Sequence, residues 1–365
     1  MEPEPYKRPI RFYEIDLLRF LAALSVVFYH YTYRGYALGH YSPLAFPELG
    51  RITRYGYLGI ELFFIISGYV VLLSAQGKTV RQFFLSRVTR LYPAFWVACT
   101  LTFIVKMLWG TGTLGDTQMP SMLHASPLQY GVNMTMLHQF LNVAEMDSAY
   151  WSLTIEITFY LLIAILIGFD LLKHLTLVIA LWLAYTALPG AVREGTLFTQ
   201  LFFPAYAPFF AAGMLLYLMQ QPAGRTWPRY ALLLASYLLG LRASLGRVGS
   251  LVLLYHEPFS KPVVAAIISA FFGVMTLVAF RKIDLNRFTW LMWLGALTYP
   301  LYLLHSDIGF IIFHRGHHLA NKYVLVGGTI LLMLAAAYAI HIFIEKRYSR
   351  LLGEQTNRLL DALSR

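Results

Sequence analysis

The chain has 365 residues, of which 58% are apolar and only 13% charged, and its mean hydropathy is +0.58. Soluble domains run about 45–50% apolar and about 25% charged, so the composition argues against a soluble fold. Its 16 Pro, 26 Gly and single Cys exclude fibrous, disordered and disulfide-stapled classes as well.

What remains is an all-α polytopic membrane protein. A span needs about 20 mostly apolar residues to cross about 30 Å of hydrocarbon. About ten stretches are expected to do so: 15–33, 56–75, 92–109, 151–171, 173–189, 199–220, 228–242, 260–280, 288–313 and 323–345. The first carries Asp16 and Arg19 and lacks a small-residue cleavage site, so it is not read as a removable signal. The third holds the lone Cys99, which rules out an internal disulfide. The seventh is short and ends at Arg242, with a second apolar run from Leu251 to Tyr255 behind it. One transmembrane domain is expected over 15–345, between a cytoplasmic segment 1–14 and a basic cytoplasmic tail 346–365.

Most of the 29 Lys and Arg fall on the loops that share a side with the two termini, whereas the segment from Gly110 to Tyr150 holds none. That asymmetry places both termini in the cytoplasm. It also explains the net charge of +11 as topology, and no nucleic-acid partner is expected. Within this outer segment, free of Lys and Arg, residues 126–143 are expected to form an interfacial helix.

Ionisable groups inside hydrocarbon are costly and usually face a bundle interior. In the first span Arg19 and His30 lie within about 20° of each other on one face, about 16 Å apart along the axis, and Asp16 sits one turn below Arg19. The second span, Gly56 to Tyr69, is rich in small residues suited to close packing and carries Glu61, read as an interfacial carboxylate. Arg87 and Arg90 stand one turn apart at the inner mouth of the third span, where planar guanidinium groups suit phosphates. The fourth span opens at Trp151 and puts Ser152, Glu156 and Tyr160 on one face. In the ninth, Thr298, Tyr302 and His305 form a stripe, and Pro300 is expected to kink the helix. Counted from the inner face, His30, His305 and Glu156 reach about 22, 24 and 21 Å. The pattern predicts a channel with an anion-binding entrance inside and a chemical site nearer the outside. His314, His317 and His318 are read as a solvated loop without a metal, and His341 as a packed span residue.

These segments resemble acyltransferase family 3, the multi-pass acyltransferases of bacterial surface glycans and some small molecules. The Arg-x10-His pair falls on Arg19 and His30, and the Gly-rich Phe-Phe-x-x-Ser-Gly pattern on Gly56 to Tyr69, with Tyr69 where Phe is commoner. Phe-x3-Arg-x2-Arg-x2-Pro falls on Phe83, Arg87, Arg90 and Pro93. Trp-Ser-Leu-x-x-Glu-x-x-Phe-Tyr falls on Trp151, Ser152, Leu153, Glu156, Phe159 and Tyr160. Tyr-x-Leu-Tyr-Leu-x-His falls on Tyr299, Leu301, Tyr302, Leu303 and His305.

The resemblance implies a bacterial inner-membrane enzyme with no permanently bound cofactor or metal. Its donor would be cytoplasmic acyl-CoA, most often acetyl-CoA, and its acceptor a hydroxyl of an outer-face sugar or lipid-linked glycan. Arg87 and Arg90 would then hold CoA phosphates, with Arg19 deeper. His30 would act as general base or take the acyl group itself, and the residues do not choose between these. Glu156 would orient His30 or the acceptor, while Trp151, Ser152, Tyr160, Tyr302 and His305 would line the acceptor site. Longer relatives carry a fused extracytoplasmic esterase-like domain, and none is expected here. A glycolipid transporter or flippase, with the polar stripe lining its path, is the alternative from another class; a scaffold protein is a third.

Overall fold

The computed structural model describes residues 12–111, 113–114, 117–188, 190 and 196–363. Of the expected lead-in 1–14, positions 1–11 lie outside the described residues. Helix α1, Tyr13–Tyr29, continues through a π-wound turn, His30–Arg34, to Ala37. The short α2, Pro47–Thr53, precedes α3, Gly59–Ala75; α4 is Val80–Trp109 and α5 is Trp151–Gly168. Then come α6, Leu175–Ala187, α7, Ala207–Gln220, α8, Trp227–Tyr255, and α9, Lys261–Ala279. Helix α10, Leu291–Leu304, breaks into α11, Ser306–Gly316. Helix α12, Lys322–Ala339, runs through a second π-wound stretch, Ile340–Glu345, into α13, Lys346–Leu363. The strands among the described residues are one two-residue pair, Thr113–Leu114 against Thr117–Gln118.

Among the described residues, 8 helices are long and apolar enough to cross a membrane, or 9 if the bent pair α10–α11 is one span. The shorter apolar helix Leu171–Ala187 occupies the place of the expected fifth span. The expected stretches therefore all fall on helices, and three local readings change. The seventh span does not stop at Arg242: α8 is one helix of 29 residues. Its Arg247 bonds the buried carboxylate of Glu61 at 2.8 Å, so the charge is neutralised across helices and does not end the span. Glu61 is accordingly a buried ion-pair partner and not an interfacial group. Residues 126–143 are not one helix but a capped turn of helix, Pro127–Asn133, and a 3₁₀ turn, His138–Leu141. Met136 between them has φ of 61°, a left-handed conformation that a right-handed helix does not accommodate.

Two sequence devices set the frame. Thr79 and Gln82 form a reciprocal capping box that starts α4. Small residues bring α3 and α7 together: a Cβ on Gly68 would sit 2.1 Å from the Phe210 carbonyl oxygen, and one on Gly213 2.0 Å from that of Ile65. Helix α1 packs against α3 and α10 and so carries its polar stripe through the interior. Asp16 lies against Gly295 and His30 against His305, so α1 and α10 run parallel from what is termed here the lower end. The expected basic tail is the helix α13, tied beneath α4 by Arg81, which pairs with Asp361 at 2.6 Å and bonds Asn357.

Candidate active site

The centre of the site is a pair of imidazoles. His30 is buried in the π-wound turn of α1, and His305 occupies the joint between α10 and α11, which bend by 63°. His30 Nδ1 lies 2.9 Å from His305 Nε2, and His305 Nδ1 lies 2.8 Å from the Tyr302 carbonyl oxygen. A carbonyl only accepts, so Nδ1 of His305 carries a proton. In a neutral ring its Nε2 is then an acceptor. The contact thus assigns the proton to His30 Nδ1 and leaves the lone pair on His30 Nε2. Pro300 stays inside α10, and the break comes at His305 instead. Carbonyls exposed there are taken up by phenols: Tyr31 donates to His305 O at 2.7 Å and Tyr150 to Leu303 O at 3.1 Å.

Below the pair, Tyr302 shares a 2.7 Å hydrogen bond with Ser152. One turn further down α5, Glu156 accepts from Ser67 Oγ at 3.2 Å and from the Tyr160 hydroxyl. A cavity of about 50 Å³ lies among Arg19, Ser67, Ser152, Glu156, Tyr299 and Tyr302. Beneath it a cavity of about 290 Å³ is lined by Asp16, Arg19, Arg90, Tyr299, His341 and Glu345. On the other side of the imidazoles, a cavity of about 740 Å³ is lined by residues including Arg34, Ser148, Trp151 and Asp307.

The expected residues are thus gathered, with several changes of place. Glu156 does not touch His30: its bonded neighbours are Ser67 and Tyr160, and His305 is the group that faces His30. The expected common depth assumed that α5 starts at the membrane surface, whereas Tyr150 and Ser152 at its head are buried. The expected channel is three separate cavities, and the middle one has room for a water or two but not for a pantetheine arm. Arg90 lines the lower cavity, while Arg87 lies over the rings of Phe83 and Tyr160 at 5.5 and 5.4 Å. His341 packs against the Trp293 ring at 6.1 Å in the π-wound stretch, as expected, and also bonds Glu345 at 2.6 Å. His314 belongs to α11, is buried, and contacts the His40 carbonyl at 3.1 Å, so it is not part of a solvated loop. Among the described residues no three His, Cys, Asp or Glu side chains form a metal ligand set.

A second polar centre escaped the sequence reading. Lys106 of α4 is fully buried and bonds Asp307 of α11 at 2.8 Å and the Met146 carbonyl at 2.9 Å. Asp307 also accepts from the backbone of Ser148 at 3.1 Å. Its own backbone N–H donates to Asp147 at 2.9 Å. Burial, and after it the neighbouring Asp307 carboxylate, push Asp147 well above the usual carboxylate range. The cluster fixes the loop 146–149 to α11 directly above the imidazole pair. Its signal in the sequence was a lysine within a span and an aspartate two residues after His305.

The family model for acyltransferase family 3, described as an acyltransferase domain, matches residues 12–342. The chain is 27% identical over 209 residues to peptidoglycan O-acetyltransferase OatA of Listeria monocytogenes, covering 48% of this chain and 29% of that protein. It is 27% identical over 161 residues to the putative peptidoglycan O-acetyltransferase YrhL of Bacillus subtilis, covering 40% and 22%. Acyltransferase MdmB of Streptomyces mycarofaciens is 27% identical over 160 residues, covering 42% and 38%. The matched stretches thus span well under half of each relative's length. No solved structure matches.

Proposed function

The chain belongs to the acyltransferase 3 family, and we propose that it is a membrane O-acyltransferase that moves an acyl group, acetyl in the simplest case, from acyl-CoA to a carbohydrate hydroxyl. The observation that carries this is the His30–His305 pair, held between a lower cavity bearing Arg19 and Arg90 and an upper one bearing Trp151. The two guanidinium groups suit the phosphates of CoA. The thioester then reaches upward past Tyr302, and opening of the narrow middle cavity is part of binding. The lower end faces the cytoplasm of a bacterial inner membrane, in keeping with the Lys and Arg bias. The donor is cytoplasmic and the acceptor a sugar or lipid-linked glycan on the outer side.

His30 Nε2 accepts the proton of the acceptor hydroxyl while the oxygen attacks the thioester carbonyl carbon. A C–O bond forms and the C–S bond breaks. The thiolate of CoA takes the proton from His30, which restores the starting state. The bond from His30 Nδ1 to His305 fixes the orientation and tautomer of the ring, as an imidazole's outer partner does at a metal. Ser152 and Tyr302 hold the wall beside the reacting centre, and Glu156 with Tyr160 sets the charge around Arg19.

The test is transfer of labelled acetyl from acetyl-CoA by the purified full chain in lipid, with wild type, Arg19→Ala and His30→Ala compared. CoA release by wild type and its loss in His30→Ala are expected. Label held on the protein would replace the general-base step with an acyl-histidine relay. Folded wild-type protein that neither binds nor turns over acyl-CoA would move the assignment to a glycolipid transporter.

A further inference from the structure

Two residues that line the upper cavity each carry a buried nitrogen with no hydrogen-bond partner among the described residues: Nη1 of Arg34 and Nε2 of His124. Leaving such groups unmet costs free energy, and more when the group is charged. Arg34 has no ion pair among the described residues; its guanidinium lies 5.7 Å from the Tyr41 ring centroid. The carboxylates on the cavity wall are engaged elsewhere. Asp307 pairs with Lys106, and Glu145 accepts from Gln139 Nε2 at 3.2 Å. The rest of the lining is suited to a sugar: Trp151, packed on Tyr206, adds an aromatic ring, Gln129 keeps its amide oxygen while its nitrogen bonds the Glu145 carbonyl, and the Ser148 hydroxyl, bonded to Ser306, can still accept. At about 740 Å³ the space matches ordinary small-ligand sites.

Arg34 ends the π-wound turn that begins at His30. That winding, common at functional sites, puts the guanidinium roughly one turn above the imidazole and on the same side. We propose that Arg34, assisted by His124, binds an anionic group, carboxylate or phosphate, on the acceptor and so sets which hydroxyl meets His30. This rests on the acyltransferase reading for the word acceptor, but the binding itself requires no acyl-CoA. A guanidinium pairs two-pronged with either anion, so the site selects acidic or phosphorylated sugars over neutral ones.

Calorimetric titration of the full chain in lipid nanodiscs, without acyl-CoA, tests the proposal. The carboxylate probe is trigalacturonic acid against neutral galactotriose, and the phosphate probe is glucose 1-phosphate against glucose. At least one anionic probe is expected to bind about tenfold or more tightly than its neutral counterpart, from one charge-assisted bond. The arm that shows it identifies the anion. Arg34→Gln should abolish the preference and Arg34→Lys should keep part of it, with gel filtration reporting that both variants are folded. Equal affinities of charged and neutral probes for wild type, or a preference that survives in Arg34→Gln, would overturn the assignment. Absence of His30-dependent CoA release overturns the transferase reading instead, and leaves a charge-selective binding result standing.

Discussion

His30 and His305, 275 positions apart in the chain, share a single hydrogen bond of 2.9 Å that joins α1 to the break between α10 and α11. If this bond orients the base, His30→Ala lowers CoA release by about 10²–10⁴-fold, the usual span for general acid–base catalysis. His305→Gln, whose amide oxygen can still accept from His30 Nδ1, retains more activity than His305→Ala. Thiol release under saturating acetyl-CoA measures all three. Wild-type rates in His305→Ala would remove His305 from the reaction.

Arg87 and Arg90 differ in surroundings and are expected to differ in phenotype. Arg90 lines the lower cavity, so Arg90→Ala raises the KM for acetyl-CoA about tenfold or more, the equivalent of one charge-assisted bond, and leaves kcat nearly unchanged. Arg87 lies against Phe83 and Tyr160, so Arg87→Ala acts first on thermal stability. Steady-state kinetics beside a melting curve separates the two, and identical behaviour would show that the ring contacts of Arg87 carry no distinct role.

Lys106 is the single cation in contact with the buried Asp307 carboxylate among the described residues. Lys106→Met is expected to cost about 3–5 kcal/mol by leaving that charge unpaired. Adding Asp307→Asn should recover part of the loss. Denaturation of the two single variants and the double variant gives the coupling directly; strict additivity would mean that the pair is energetically idle.

The crossing of α3 and α7 has no room for a side chain, since the Cβ contacts at Gly68 and Gly213 fall on backbone oxygens that cannot swing aside. Gly68→Val should destabilise by about 1–3 kcal/mol or more. It should also lower the yield of folded protein, whereas Gly273→Val, where a Cβ meets open space, should not. Comparable melting temperatures for the two would count against the close crossing.

The helices were legible because apolar length is a local property. So were the two ends of the α1 stripe, since Arg19 and His30 belong to one helix whose geometry is known in advance. What needed the structure was pairing across helices. Window hydropathy treats Arg242 and Arg247 as unmet charges and cuts α8 short, yet Arg247 is neutralised by Glu61 from α3. Lys106 stood in plain view inside a span, but its partner Asp307 lies beyond the break at His305. Counting depth from an exposed helix start puts Glu156 level with His30 as a partner for it or for the acceptor, but the head of α5 is buried and Glu156 bonds Ser67 and Tyr160. Pro300 signalled an irregular α10, but the joint fell where Tyr31 and Tyr150 accept the cost of opening the helix by bonding its carbonyls.

The bond from His305 Nδ1 to the Tyr302 carbonyl has a consequence for how protons travel. A carbonyl takes no proton at neutral pH, so the row from His30 to His305 to Tyr302 is a dead end and not a wire. A proton gained at His30 Nε2 has to leave by that same atom. In the proposed transfer the one hydrogen that passes from acceptor to thiol does so at His30 Nε2 itself, and none travels along the row. On that proposal the acceptor's hydrogen would leave on the thiol of CoA, and a measured proton current accompanying turnover would have to run by another route.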